Sequence, residues 1–183
     1  MQREEQSKIL PIGSKLPSFT LQDTNEENFN SEQCELEHGL LVMFSCNHCP
    51  YVKGTDETVI RLAKEFQKRG IKFIAINSND PVAYPEDSFE NMQVKVEEMN
   101  IPFQYLFDQK QEVAKQFDAA CTPEAYLFDH EKRLVYHGAI CDNPKYPSQV
   151  QKMYLQDAIE QLLKGEDPAP NYVHPLGCSI KWR

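Results

Sequence analysis

Long hydrophobic runs are missing from this chain of 183 residues, and residues 1–8 lack the apolar centre of a secretory leader. Both absences predict a soluble, cytoplasmic protein with no membrane partner. Positive charge is scarce as well: 19 Lys and Arg stand against 28 Asp and Glu, a formal charge of -9, and no local basic cluster reverses the balance. That excludes a nucleic-acid surface. Internal repeats, low-complexity tracts and linkers are not found. The length, with 40% apolar and 26% charged residues, predicts one domain over 1–183, with a loosely held start over 1–12 and an extended arm over 166–183. His38, His130, His137 and His174 show no ligand spacing. The six cysteines, at 34, 46, 49, 121, 141 and 178, are too dispersed for a disulfide scaffold, so cysteine here serves chemistry or packing.

What is present converges on Ser45-Cys46-Asn47-His48-Cys49-Pro50. This stretch follows the apolar run 40–44 and precedes a segment of helical spacing, so its two cysteines stand where a strand hands over to a helix. A C-x-x-C pair at such a junction reads as a redox dithiol. Unpaired N–H groups and the positive end of the helix dipole favour a thiolate, and the thiolate is the form that attacks a disulfide. Cys46 is the expected nucleophile, with a pKa below the unperturbed value of about 8.5. Cys49, about one turn further along, is the expected resolving thiol. His48 is placed to favour the Cys46 thiolate, which would make the dithiol more oxidising, and Asn47 and Pro50 complete the loop. The competing reading is a buried or metal-binding pair. Two thiolates and His48 could take Cu(I) or Zn(II), but a closed zinc site wants four ligands. The reading favoured here needs no cofactor and no resident metal.

The hydrophobic pattern places this stretch in an α/β chain. Pro17-x-Phe19-x-Leu21 alternates into a turn at 23–26, which predicts a strand and a hairpin completed near Phe29. Residues 30–38 read as a short helix or loop, 40–44 as a strand buried on both faces, and 51–69 as a helix carrying Val59, Leu62, Ala63 and Phe66. The run 71–76 is the next strand, parallel to the first through a right-handed crossover. Phe89, Met92, Val96 and Met99 mark a second helix capped by Ser88. A short strand at 103–107, a brief helix near 111–118, a hairpin of 125–128 with 134–136 and a last helix through Leu155 and Leu163 follow. The second half of the sheet is expected to be antiparallel.

Other residues add a family likeness to this pattern. The order of elements, the opening Gly13-x-x-x-Pro17-x-Phe19-x-Leu21-x-Asp23, the insert between 77 and 108, Cys121-Thr122-Pro123-Glu124 and the closing Gly177-Cys178-Ser179-Ile180-Lys181-Trp182 are its marks. Together they resemble the thioredoxin fold and, within it, the peroxiredoxin-like branch of the redoxin superfamily, over nearly the whole chain. The resemblance implies a central mixed sheet flanked by helices, with an N-terminal β extension and a C-terminal arm. It also implies a cis Thr122–Pro123 bond packed beside the C-x-x-C, which makes Pro123, with Thr122, a site residue. One departure stands out. The peroxiredoxin loop Pro-x-x-x-Thr-x-x-Cys, laid with its cysteine on Cys49, puts Val42 at the proline position and Cys46 at the threonine position.

The favoured function is therefore a cytoplasmic thiol-disulfide oxidoreductase. It would act through Cys46 and Cys49 on a disulfide-containing protein or small molecule and be recharged by an external thiol reductant. A peroxiredoxin-like thiol peroxidase, with one of these cysteines passing through sulfenic acid, is the alternative. A copper- or zinc-binding thiol module is the third. Cys121, two residues before Pro123, and Cys178, in the arm, are candidate additional redox thiols, each weighed against simple packing.

Overall fold

The computed structural model describes residues 10–183, so most of the segment 1–12 lies outside the described residues. Strands β1 (Thr20–Asp23) and β2 (Asn28–Asn30) form the expected hairpin, and its turn is fixed by the Asp23 carboxylate, which accepts from the N–H groups of Asn25 and Glu27. Residues 31–38 are loop and turn, not helix. Strand β3 (Gly39–Ser45) is buried at every position. It passes through 46–49 into α1 (Pro50–Phe66), which tightens into a 3₁₀ turn over Gln67–Arg69 and stops at Gly70, where φ is 84°. Only glycine takes that left-handed angle without steric cost.

The chain then runs through β4 (Ile71–Asn77), α2 (Phe89–Met99), β5 (Gln104–Phe107), α3 (Glu112–Gln116), β6 (Cys121–Thr122), β7 (Glu124–Asp129), β8 (Leu134–Gly138) and α4 (Tyr154–Leu163). Ser88 caps α2, its Oγ accepting from the Asn91 N–H at 3.2 Å. The larger sheet has the order β2-β1-β5-β4-β3-β7-β8, with a further strand, β9 (Tyr172–Val173), at its far edge. β3 pairs parallel with β4 and β4 with β5, whereas β7 pairs antiparallel with both β3 and β8. Helices cover both faces of this mixed sheet.

Period-two alternation along β3 divides the core. Leu41 and Met43 point to the layer of Val59, Leu62 and Phe66 from α1, Met92 from α2 and Leu155 and Ile159 from α4. Leu40, Val42 and Phe44 point to the opposite layer of Val113, Ala114 and Phe117 around α3, joined by Phe19 and Phe29. Burying each large apolar side chain contributes about 1.5–3 kcal/mol, so β3, buried at every position, is firmly held between the two layers. Its C-terminal end is thereby a rigid base for residues 46–49.

The arm differs from the expectation. Over 166–183 it is not purely extended: β9 adds parallel to β8, and β10 (Cys178–Ser179) pairs antiparallel with β6, Cys178 opposite Thr122 and Ser179 opposite Cys121. Strands of two residues carry no readable alternation, and Pro168, Pro170 and Pro175 mask them in sequence. Thr122–Pro123 is cis, as the resemblance implied, and so is Ala169–Pro170.

Phe117 anchors the α3 layer. Its ring lies edge-on to Phe44 at 5.3 Å and to Tyr126 at 5.1 Å between centroids. Phe117→Ala is expected to lower stability by about 3–5 kcal/mol. Urea denaturation should show a reduced midpoint at unchanged slope; a midpoint equal to wild type would contradict this packing.

Candidate functional site

The site begins with the end of β3. Cys49 is the N-cap residue of α1 and Pro50 its first helical residue, a position where the missing proline N–H costs no intrahelical bond. Residues 46–49 are fixed by side chains that the sequence pattern did not single out. Asp87, fully buried, accepts from the backbone N–H of Asn47 at 2.7 Å and of His48 at 3.2 Å through Oδ1. Its Oδ2 takes Asn79 Nδ2 at 2.7 Å and pairs with His48 Nδ1. Tyr105 donates its hydroxyl to Asn47 Oδ1 at 3.0 Å. Lys95 donates from Nζ to the Cys46 carbonyl at 3.1 Å and to Asp56 at 2.9 Å, tying α2 to the loop and to α1. Nothing in sequence marks Asp87, which follows Pro85 by two residues at the end of a polar loop, as the residue that organises residues 46–49.

The thiols meet over the cis-proline turn. Cys46 Sγ lies 3.4 Å from Thr122 Oγ1, and Cys49 Sγ points at the Thr122 carbonyl at 3.4 Å. Both cysteines are 0% exposed and form a small cluster with Val52, against which Tyr51 and Cys178 pack. The structure thus brings Cys46, Cys49, Thr122, Pro123 and Cys178 together. Cys121 is adjacent in sequence but outside the cluster; burial and the neighbouring Glu124 charge push its thiol well up. Glu124 itself braces the turn. Its carboxylate accepts from the N–H groups of Ala120 and Cys121 at 2.8 and 3.1 Å and pairs with His137 at 2.6 Å. Against the desolvation of its buried site, that His137 contact and the two N–H donors hold Glu124 below its ordinary pKa.

The acidity order is the reverse of the sequence expectation. The Cys46 thiol is pushed far up, because its S–H is held toward Cys49, its site is dry, and the Asp87 charge opposes an anion there. Cys49 is lowered below the ordinary thiol value: the Cys46 thiol stabilises its anion first, and, against desolvation, the Cys178 thiol and the Val52 N–H add to this. Helix geometry explains the reversal. The end of α1 acts on its N-cap residue, which is Cys49, while Cys46 belongs to the strand exit three residues earlier. His48 does not serve Cys46 as expected, since its Nδ1 is committed to Asp87 and its ring stacks on Tyr84 at 5.3 Å.

Cys46, His48 and Asp87 bring candidate ligand atoms within 4.8 Å of one another. The fit to a metal ion is poor, because both Asp87 oxygens already accept from N–H groups. A groove of about 360 Å³ lies beside the loop, lined by Asn47, His48, Lys53, Glu86 and Lys95 among others, and neither active cysteine opens into it. No helix among the described residues is long and apolar enough to cross a membrane.

Comparison with known proteins agrees with this fold. The sequence pattern of the AhpC/TSA family matches residues 12–137. No curated protein matches. An uncharacterized conserved protein from Geobacillus kaustophilus is 39% identical, with 96% of this chain and 94% of that chain covered and a TM-score of 0.89. A hypothetical protein from Sinorhizobium meliloti 1021 is 36% identical, with 95% and 96% covered and a TM-score of 0.88. The thioredoxin domain of a thiol-disulfide oxidoreductase from Bacteroides vulgatus, at 16% identity, with 76% and 95% covered and a TM-score of 0.61, shows the shared thioredoxin-like fold.

Two outcomes follow from the electrostatics. The thiolate absorbance of the reduced protein should persist well below neutrality and vanish in Cys49→Ser; a rise centred near the ordinary value of about 8.5 would contradict the assignment to Cys49. Asp87→Asn keeps an oxygen acceptor for the loop N–H groups but removes the charge, so at a fixed alkaline pH Cys46 should be alkylated faster in Cys49→Ser/Asp87→Asn than in Cys49→Ser. Equal rates in the two variants would show that Asp87 is not the opposing charge.

Proposed function

Because the chain belongs to the AhpC/TSA family of thioredoxin-fold redoxins, we propose that it is a cytoplasmic thiol-disulfide oxidoreductase whose redox dithiol is Cys46 and Cys49. The observation that carries this reading is the meeting of two buried cysteines at the start of α1 over the cis Thr122–Pro123 turn. The order of attack inferred from the sequence is reversed. The Cys49 thiolate attacks one sulfur of a substrate disulfide, forming a mixed disulfide and expelling the first substrate thiolate. Cys46 then gives up its proton and attacks Cys49 Sγ, closing a Cys46–Cys49 disulfide and releasing the second substrate thiolate. The substrate is reduced by two electrons, the dithiol is oxidised by two, and an external thiol restores it. Thr122 and Pro123 form the wall on which the two sulfurs rest, and Asp87 and Lys95 keep the loop from opening.

Peroxide reduction is a second reading with one specific observation behind it. Cys49, the more acidic thiol, is also the residue that falls on the peroxiredoxin cysteine. There the thiolate would take the terminal peroxide oxygen as sulfenic acid, release an alcohol, and condense with Cys46 with loss of water. The hydroxyl of the peroxiredoxin threonine is replaced by the Cys46 thiol, however, and no arginine contributes to the lowering of the Cys49 pKa. Exchange is therefore favoured.

The test is turnover of a small disulfide by an excess of dithiothreitol. Wild type should accelerate it, and both Cys49→Ser and Cys46→Ser should return it to the uncatalysed rate. Rapid consumption of hydroperoxide without any acceleration of disulfide reduction would replace this function with the peroxidase.

A further inference from the structure

Burial poses a problem for the dithiol. Cys46 and Cys49 are both 0% exposed, so an external thiol approaching the cluster meets the partly exposed Cys178 before it meets either of them. Cys178 is the cysteine of the cluster that reaches partial exposure. It is held there by a built element. β10 pairs with β6 so that Cys178 lies opposite Thr122, whose carbonyl receives Cys49 Sγ at 3.4 Å. A side chain at Gly177 would collide with the Thr122 carbonyl oxygen, so glycine at this position permits the close approach of the two strands. Beyond β10, Ile180 is buried in the core and donates its N–H to Ala120 O at 3.0 Å. The Lys181 carbonyl accepts from Asp80 N at 2.9 Å and Gln111 Nε2 at 2.8 Å. The arm is therefore pinned just beyond the thiol, and Cys178 packs against the cluster of Cys46, Cys49 and Val52.

We infer that Cys178 is a third redox thiol that exchanges with Cys49 and carries the disulfide from the buried pair to the surface. This rests on the dithiol reading above and extends it. In the oxidised protein, Cys178 loses its proton and its sulfur attacks Cys49 Sγ. A Cys49–Cys178 bond forms, the Cys46–Cys49 bond breaks, and Cys46 leaves as a thiolate that takes up the proton. The step is an isomerisation and consumes no oxidant. An external thiol then attacks the partly exposed Cys178 sulfur, freeing the Cys49 thiolate, and a second equivalent of thiol removes the adduct as its own disulfide. The same thiol can also act earlier, displacing a substrate held on Cys49 when Cys46 is blocked.

The probe is oxidised glutathione, mixed with reduced protein and read by intact mass and disulfide mapping. In Cys46→Ser/Cys178→Ser, glutathione should remain on Cys49 as a stable adduct. In Cys46→Ser, that adduct should be lost and a Cys49–Cys178 bridge should replace it. Cys46→Ser/Gly177→Ala, which keeps all the relevant sulfurs but lifts β10, should again retain the adduct. Retention in Cys46→Ser to the same extent as in Cys46→Ser/Cys178→Ser would overturn the role of Cys178 and leave the dithiol standing. Failure of Cys46→Ser/Cys178→Ser to take up glutathione would remove the Cys49 nucleophile itself, and the relay with it.

Discussion

The burial of Cys46 and Cys49 together against the Thr122 turn is the constraint on which the rest of the site depends. The pocket is dry, so it cannot carry two thiolates side by side, and desolvation works against even one. Two local features decide which sulfur keeps the negative charge. Cys49 stands at the N-cap of α1, where first-turn N–H groups favour an anion, and Cys46 stands in the field of the buried Asp87. In the proposed exchange, this asymmetry would let one thiol act as nucleophile while its neighbour stays protonated. It depends in turn on rigidity: β3, buried at every position, fixes the Cys46 end of the loop, and α1 fixes the Cys49 end.

Much of this was legible in the chain. The apolar run at 40–44, the helical spacing from Val59 to Phe66 and the strand at 71–76 each carry strong periodicity, and the structure contains all three with parallel pairing. The C-x-x-C and the Thr122-Pro123 turn were likewise readable as one site. The acidity of the two thiols was not. A sequence shows that a helix starts near residue 50, but which cysteine caps it turns on a difference of a few residues, and that boundary is where periodicity is least informative. Asp87 was invisible for a different reason: its influence on Cys46 arises from a loop 40 residues away that folds back onto residues 46–48. The tail was missed because backbone pairing with β6, not side-chain pattern, holds it.

The arm changes how the fold is used. In the described residues β10 lies along the cis-proline turn, over the sulfurs that a redox partner must reach. Closure of this kind excludes water and strengthens the electrostatics around the thiolate, but it also separates the dithiol from its electron donor. In the proposed relay, Cys178 in the covering strand would reconcile the two demands. Glu124, with His137 behind it, keeps the opposite side of the turn in place, so that β6 offers the arm a fixed edge.

Equilibrating the protein across a series of glutathione to glutathione-disulfide ratios, with mass mapping of every cysteine, tests the central claim most directly. The account predicts a two-electron transition in which Cys46 and Cys49 become bridged while Cys34, Cys121 and Cys141 remain free. Cys46 and Cys49 persisting as free thiols across the whole series would contradict it.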